Sequence, residues 1–195
     1  MRKHAMVAAI LAWALPAEAD DVYVGGSFSG GALTNLESWY DEFSPLSAGI
    51  VIGKEFDLDG GYFIAPEASL RFGLNDPTIL QYDDPAISYR ETVRERIAAE
   101  VSLRFGRRFG SLSAFSFAGV GLSHLATTGE WYNFFGVQST DVNVINSPTL
   151  SFGAGLQYDF SRTFMRLDIE ARHFTKPDYM DLDQVNLRTV IGIRF

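Results

Sequence analysis

Polar and apolar residues alternate over most of this chain with a period of two. From Gln184 to Phe195 the sequence reads Q-V-N-L-R-T-V-I-G-I-R-F. Val185, Leu187, Thr189, Ile191, Ile193 and Phe195 fall on one face of a strand, and Asn186, Arg188, Val190, Gly192 and Arg194 on the other. The same rhythm predicts seven further strands, at about 21–30, 46–56, 62–74, 93–105, 112–125, 149–160 and 164–174. The strand over 62–74 sets Tyr62, Ile64, Ala68, Leu70 and Phe72 against Glu67, Ser69 and Arg71. That over 164–174 sets Met165, Leu167 and Ile169 against Arg166, Asp168, Glu170 and Arg172. The stretch 112–125 is less clear, because Phe115 and Phe117 share a face with Gly119 and Gly121.

The spacing between strands also alternates. Short connections follow the second, fourth and sixth strands, near 57–61, 106–111 and 161–162. Longer ones follow the first, third, fifth and seventh, at about 31–45, 75–92, 126–148 and 175–183. Phe56, Tyr62, Phe105, Phe109, Phe160 and Phe164 border the short turns, with Phe195 at the same level. Strands of ten or more residues, all short turns at one end and an aromatic girdle there fit strands that cross a bilayer at a tilt. A half-buried strand in a soluble sheet would show the same alternation, so the inward face decides between the two.

Residues 1–19 do not belong to this pattern. Arg2 and Lys3 precede the uncharged run Ala5–Leu15. Pro16 breaks the run, and Ala17-Glu18-Ala19 places small residues at the two positions that a signal peptidase reads. This predicts a secretory signal peptide cleaved after Ala19, followed by one barrel domain over 20–195. The run of about eleven residues is too short to span a bilayer as a helix.

Charge then limits the function. The formal charge is −8 at pH 7; without Arg2, Lys3 and Glu18 the basic residues fall from 16 to 14 and the acidic from 24 to 23, about −9. Nucleic acid is not an expected partner for such a chain. No cysteine is present, which removes disulfides and thiolate chemistry. His124 and His173 are too few for a histidine-rich metal site, the acidic clusters Asp83-Asp84 and Asp178–Asp183 lack calcium-loop spacing, and the G-x-G runs lack a third glycine opening a helix. No cofactor or metal is expected.

The predicted mature chain holds twelve arginines and only two lysines, Lys54 and Lys176. Eight arginines lie on polar strand faces, with carboxylates beside them. Guanidinium forks paired with carboxylates suit a crowded polar interior better than ammonium groups do. We therefore expect an inward charge network of Glu67, Arg71, Arg96, Glu100, Arg104, Arg166, Asp168, Glu170, Arg172 and Arg188, in which the carboxylates bridge arginines on neighbouring strands. The predicted fold is all-β, an eight-stranded antiparallel up-and-down transmembrane β-barrel.

The terminal strand, the G-V-G and G-A-G runs at Gly119–Gly121 and Gly153–Gly155, and L-D-I-E-A-R at Leu167–Arg172 resemble the small OmpA/OmpX-type outer-membrane barrels of Gram-negative bacteria. The resemblance implies export through the general secretory route to the outer membrane. It implies lipopolysaccharide and other outer-membrane lipids as surroundings, and an assembly machinery that reads Leu187, Ile191, Ile193 and Phe195. The implied role is structural or surface-interactive and not enzymatic. A narrow porin-like channel is the alternative. A weaker one rests on His173-Phe174-Thr175, which is similar to the His-x-Ser of lipid A deacylases, although threonine replaces serine and Lys176-Pro177 follows. Trp39, Tyr40, Phe43, Trp131, Tyr132, Phe134 and Phe135 in the long connections fit extracellular ligand anchors, an upper girdle or packing over the barrel mouth.

Overall fold

The computed structural model describes residues 22–34, 45–83, 87–133, 136–175 and 183–195. Ala17 and Ala19 therefore lie outside the described residues, as do Trp39, Tyr40, Phe43, Asp84, Phe134, Phe135, Lys176 and Pro177. Among the described residues ten strands run in chain order: β1 (Val22–Thr34), β2 (Leu46–Lys54), β3 (Phe56–Asp57), β4 (Tyr62–Gly73), β5 (Thr78–Asp83), β6 (Ile87–Phe109), β7 (Leu112–Asn133), β8 (Gly136–Phe160), β9 (Thr163–Phe174) and β10 (Asp183–Arg194). Eight close an antiparallel ring in the order β4-β2-β1-β10-β9-β8-β7-β6, with β6 pairing back to β4. The short β3 runs alongside the start of β4, and β5 flanks the far end of β6.

The pairing fixes the tilt. From Tyr23 the ladder passes through Gly53, Glu67, Ser102, Gly119, Ser151, Arg172 and Gln184 and returns to β1 at Leu33. One circuit thus climbs from residue 23 to residue 33 of the same strand. That stagger gives an eight-stranded cylinder an interior only just wide enough for side chains to fill. At two of the three short turns glycine supplies the positive φ, at Gly60, Gly61 and Gly110; at the third, between β8 and β9, Ser161 takes it with φ 59°.

The two faces are inverted relative to a water-soluble protein. Outward Val120, Leu122, Phe152, Ile169 and Ile191 are 61–64% exposed, whereas inward Arg71, Arg104, Arg166 and Arg188 are 1–2% exposed. A continuous apolar belt around a charged core is stable only in lipid. The girdle at the short-turn end comprises outward Phe56, Tyr62, Phe105, Phe109, Phe160 and Phe195. Phe164, expected in that girdle, instead points inward against Tyr23, ring centroids 5.5 Å apart.

The strands also run farther than the alternation predicts. Residues 126–133 continue β7, 136–148 belong to β8, and β6 begins at Ile87; the ladder holds up to Asn133↔Gly136. β5–β8 thus project past the apolar belt as an outer sheet. Along β8, residues 139–144 are exposed one after another, so no period-two hydropathy marks this part in the sequence.

Candidate functional site

The interior is built in three levels. At the short-turn mouth, buried Glu55, just after β2, takes Arg108 from β6 at 3.0 Å and Arg194 from β10 at 2.7 Å. Arg108 also pairs with Asp57, and Arg194 with Asp159 at 3.0 Å.

At mid-height Glu67 is the hub. Arg166 donates to both of its oxygens, at 2.6 and 2.9 Å, and the Tyr23 hydroxyl donates at 2.9 Å. Arg104 stands 3.6 Å from Glu67, donates to Tyr23 Oη at 3.0 Å and to Gln157 Oε1 at 3.1 Å, and lies over the rings of Tyr23, Phe63 and Phe115. Asp168 pairs with Arg188 at 2.9 Å and Arg166 at 3.3 Å. Gly153 and Gly155 make room for this layer, because a Cβ at either would lie within 2.7 Å of the Phe117 or Phe115 ring.

In the upper level Arg71 joins Glu170 at 2.6 Å and Glu100 at 2.9 Å, and Asn186 donates to Glu170 at 3.3 Å. Above it Arg172 takes Glu95 at 3.0 Å, and also donates to Ser123 and Gln184. The mid and upper levels therefore hold Arg71, Arg104, Arg166, Arg172 and Arg188 against Glu67, Glu95, Glu100, Asp168 and Glu170. Five cations meet five anions. A shallow cleft of about 30 Å³ opens above them, lined by Pro45, Asn75, Pro77, Val93, Leu125 and Phe174 among others.

Two features differ from the sequence reading. Arg71–Glu100, Arg104–Glu67 and Arg188–Asp168 join neighbouring strands as expected. The shortest pairs of the mid and upper levels, Glu67–Arg166 and Arg71–Glu170, instead link β4 to β9, which stand opposite each other in the ring. The interior is narrow enough for long arginine side chains to reach the far wall. The second difference is Arg96, which is exposed on the outer wall. A register shift between Glu95 and Ile97 inserts one extra residue in β6, and such a bulge reverses the facing of every residue beyond it. Glu95 turns inward to Arg172, while Arg94 and Arg96 turn outward. Straight alternation would have put the Glu95 carboxylate on the lipid face, a conflict that marks the bulge in the sequence.

Leu187, Ile191, Ile193 and Phe195 lie along the lipid face of β10, 46–64% exposed. The Phe195 amide donates to the Val22 carbonyl at 2.9 Å, next to the β1–β10 seam.

At the far rim, His173 Nδ1 donates to Asp183 Oδ1 at 2.7 Å. This is a carboxylate partner that the sequence did not identify; the register Asp183↔His173 supplies it. The Thr175 hydroxyl donates to the Pro148 carbonyl at 3.0 Å. On the outer sheet, Tyr89 packs against Trp131 with centroids 4.5 Å apart, and Trp131, Val142 and Val144 are exposed.

No family model and no curated protein matches this sequence. Solved structures do match in fold. Neisserial surface protein A aligns with a TM-score of 0.51 at 13% identity, over 89% of this chain and 97% of the other. The attachment invasion locus protein Ail of Yersinia pestis, crystallised with the heparin analogue sucrose octasulfate, aligns with a TM-score of 0.50 at 15% identity, over 90% and 98%. With its ring of eight strands, lipid-facing belt and filled polar core, the chain has the fold of the small eight-stranded outer-membrane barrels of the OmpA/OmpX type.

Proposed function

We propose that this outer-membrane barrel does not conduct and that its role is structural and surface-interactive, carried by the outer sheet. The observation behind this reading is the balanced charge lattice that crosses the lumen at mid-height. Removing one member of such a buried pair leaves an uncompensated ion, so the lattice resists the local opening that a permeation path requires. β5–β8 meanwhile hold Trp131, Val142 and Val144 in position to meet an extracellular ligand. The lipid-facing strand ending in Phe195 serves the assembly machinery during insertion. Purified protein in planar bilayers tests the closed lumen. No steady conductance is expected, and a stable open current would replace this reading with that of a narrow channel for small solutes.

A second reading, hydrolysis of an outer-leaflet lipid ester, is favoured by the His173–Asp183 contact. A carboxylate on Nδ1 orients an imidazole so that Nε2 can act as base, with Thr175 two residues on as nucleophile. Against it, the Thr175 hydroxyl is committed to Pro148. It ranks second for that reason. The mass of lipid A from expressing cells tests it: an acyl-chain loss that disappears in His173→Ala would promote it.

A further inference from the structure

Above Ile97 on β6 and Leu122 on β7, the last well-exposed apolar residues of the belt on these strands, the outer wall becomes basic around the small, covered Ala126. Because of the β6 bulge, Arg94 and Arg96 both face away from the lumen and both are exposed. Arg94 shares only a 3.4 Å contact with Asp76, about half exposed on each side, and Arg96 has no ion pair or hydrogen bond among the described residues. Opposite Ile97 on β7 stands His124. Its Nδ1 hydrogen-bonds to Asn146 Oδ1 at 2.8 Å, which leaves Nε2 uncommitted.

This basic patch runs against the trend of a chain whose net charge is −8. Its depth is also specific. Ile97 and Leu122 are 38% and 61% exposed and face acyl chains, so the guanidinium groups one step beyond them reach the layer where lipid headgroups begin. Arginine there presents a planar fork that matches phosphate oxygens. Two residues apart on one strand, Arg94 and Arg96 span roughly 6–7 Å, or slightly less across the bulge, wide enough to grip one phosphate from two sides.

We propose that Arg94, Arg96 and His124 form a binding site for the phosphate of a glycolipid anchored in the outer leaflet. The inference rests on the outer-membrane placement and not on whether the lumen conducts. A lipid is assigned over a soluble anion because the patch continues directly into the apolar belt. Ile97 and Leu122 hold the acyl region of the same molecule while the arginines hold its headgroup.

The test uses the full protein refolded into nanodiscs of phosphatidylcholine, either alone or with lipopolysaccharide or its enzymatically dephosphorylated form, and reads the temperature at which the folded band is lost on a gel. Phosphorylated lipid should raise that temperature by several degrees and the dephosphorylated form by clearly less. R94Q/R96Q should lose the difference between the two lipids while matching the unmutated protein in phosphatidylcholine. H124A, on the neighbouring strand, should reduce the difference by a smaller amount and serves if the double variant refolds poorly. A full shift retained in both variants overturns the site. An equal shift from millimolar inorganic phosphate alone overturns the lipid assignment. A conducting lumen would overturn the closed-barrel reading and leave these shifts intact.

Discussion

The ring within the membrane and the sheet above it are continuous strands of the same chain, yet they obey different rules. Along β8, residues 149–160 alternate cleanly: Thr149, Ser151 and Gln157 are buried, while Leu150, Phe152, Leu156, Tyr158 and Phe160 face lipid. Farther along the same strand, Asp141, Val142, Asn143 and Val144 are all exposed. The backbone is equally extended in both parts and paired with β7 throughout. What differs is the medium on each side. Alternation is selected where a strand divides two unlike environments, and it lapses where both are water.

The largest effect that would sharpen this contrast lies in the lumen. Glu67→Ala leaves Arg166 without its bidentate partner and weakens the hold on Arg104. Breaking a buried pair from one side costs about 3–5 kcal/mol. The folded band should disappear at a distinctly lower temperature on a gel. Replacing both partners with methionine, which removes the charge as well as the pair, should recover most of the loss. A double replacement as unstable as the single one would show that the lattice acts by shape and not by charge.

Phe195→Ser comes next. Burying one ring at the lipid interface contributes about 1.5–3 kcal/mol, a loss that a complete hydrogen-bonded ring should tolerate. If the terminal aromatic is a recognition signal, outer-membrane levels in cells should fall sharply while refolding into detergent stays nearly normal. Equal losses in both assays would reduce Phe195 to a stability contribution.

The smallest change should come from the outer sheet. Excising residues 129–141 and joining Thr128 to Val142 through an Asn-Gly turn shortens the β7–β8 hairpin well above the belt. The unfolding temperature in detergent should stay within a few degrees of the parent. A large drop would mean that the outer sheet supports the ring, and the contrast drawn here would fail.

The same contrast explains what was legible in advance. The eight lipid-crossing segments, the short-turn end and most inward arginines could be read from period two, because lipid on one face forces it. The outer parts of β6, β7 and β8 could not, since Trp131 and Tyr132 on water-exposed strands look like loop residues. Arg96 was misplaced because one extra residue at Glu95–Ile97 reverses the parity beyond it, and only the misfit of a lipid-facing glutamate hints at that. The partners of Glu67 and Arg71 were hidden for another reason. Any inward carboxylate suits any inward arginine until the stagger of the ladder sets which ones share a height. The Asp183 partner of His173 was likewise a matter of register, across a connection that alternation does not measure.

The pairs that cross the lumen also bear on the order in which the barrel can form. Arg71–Glu170 and Arg166–Glu67 each join residues 99 positions apart, so neither contact exists until β9 has been delivered beside a wall begun at β4. Contacts between such distant positions come late, since the chain must be ordered before they return any free energy. Until then the arginines and carboxylates of the first strands need water around them. A half-zipped sheet is therefore kept from collapsing by its own charges, and the last strands to dock also expel the water. Closure becomes a single cooperative event in which the seam and the lattice complete each other.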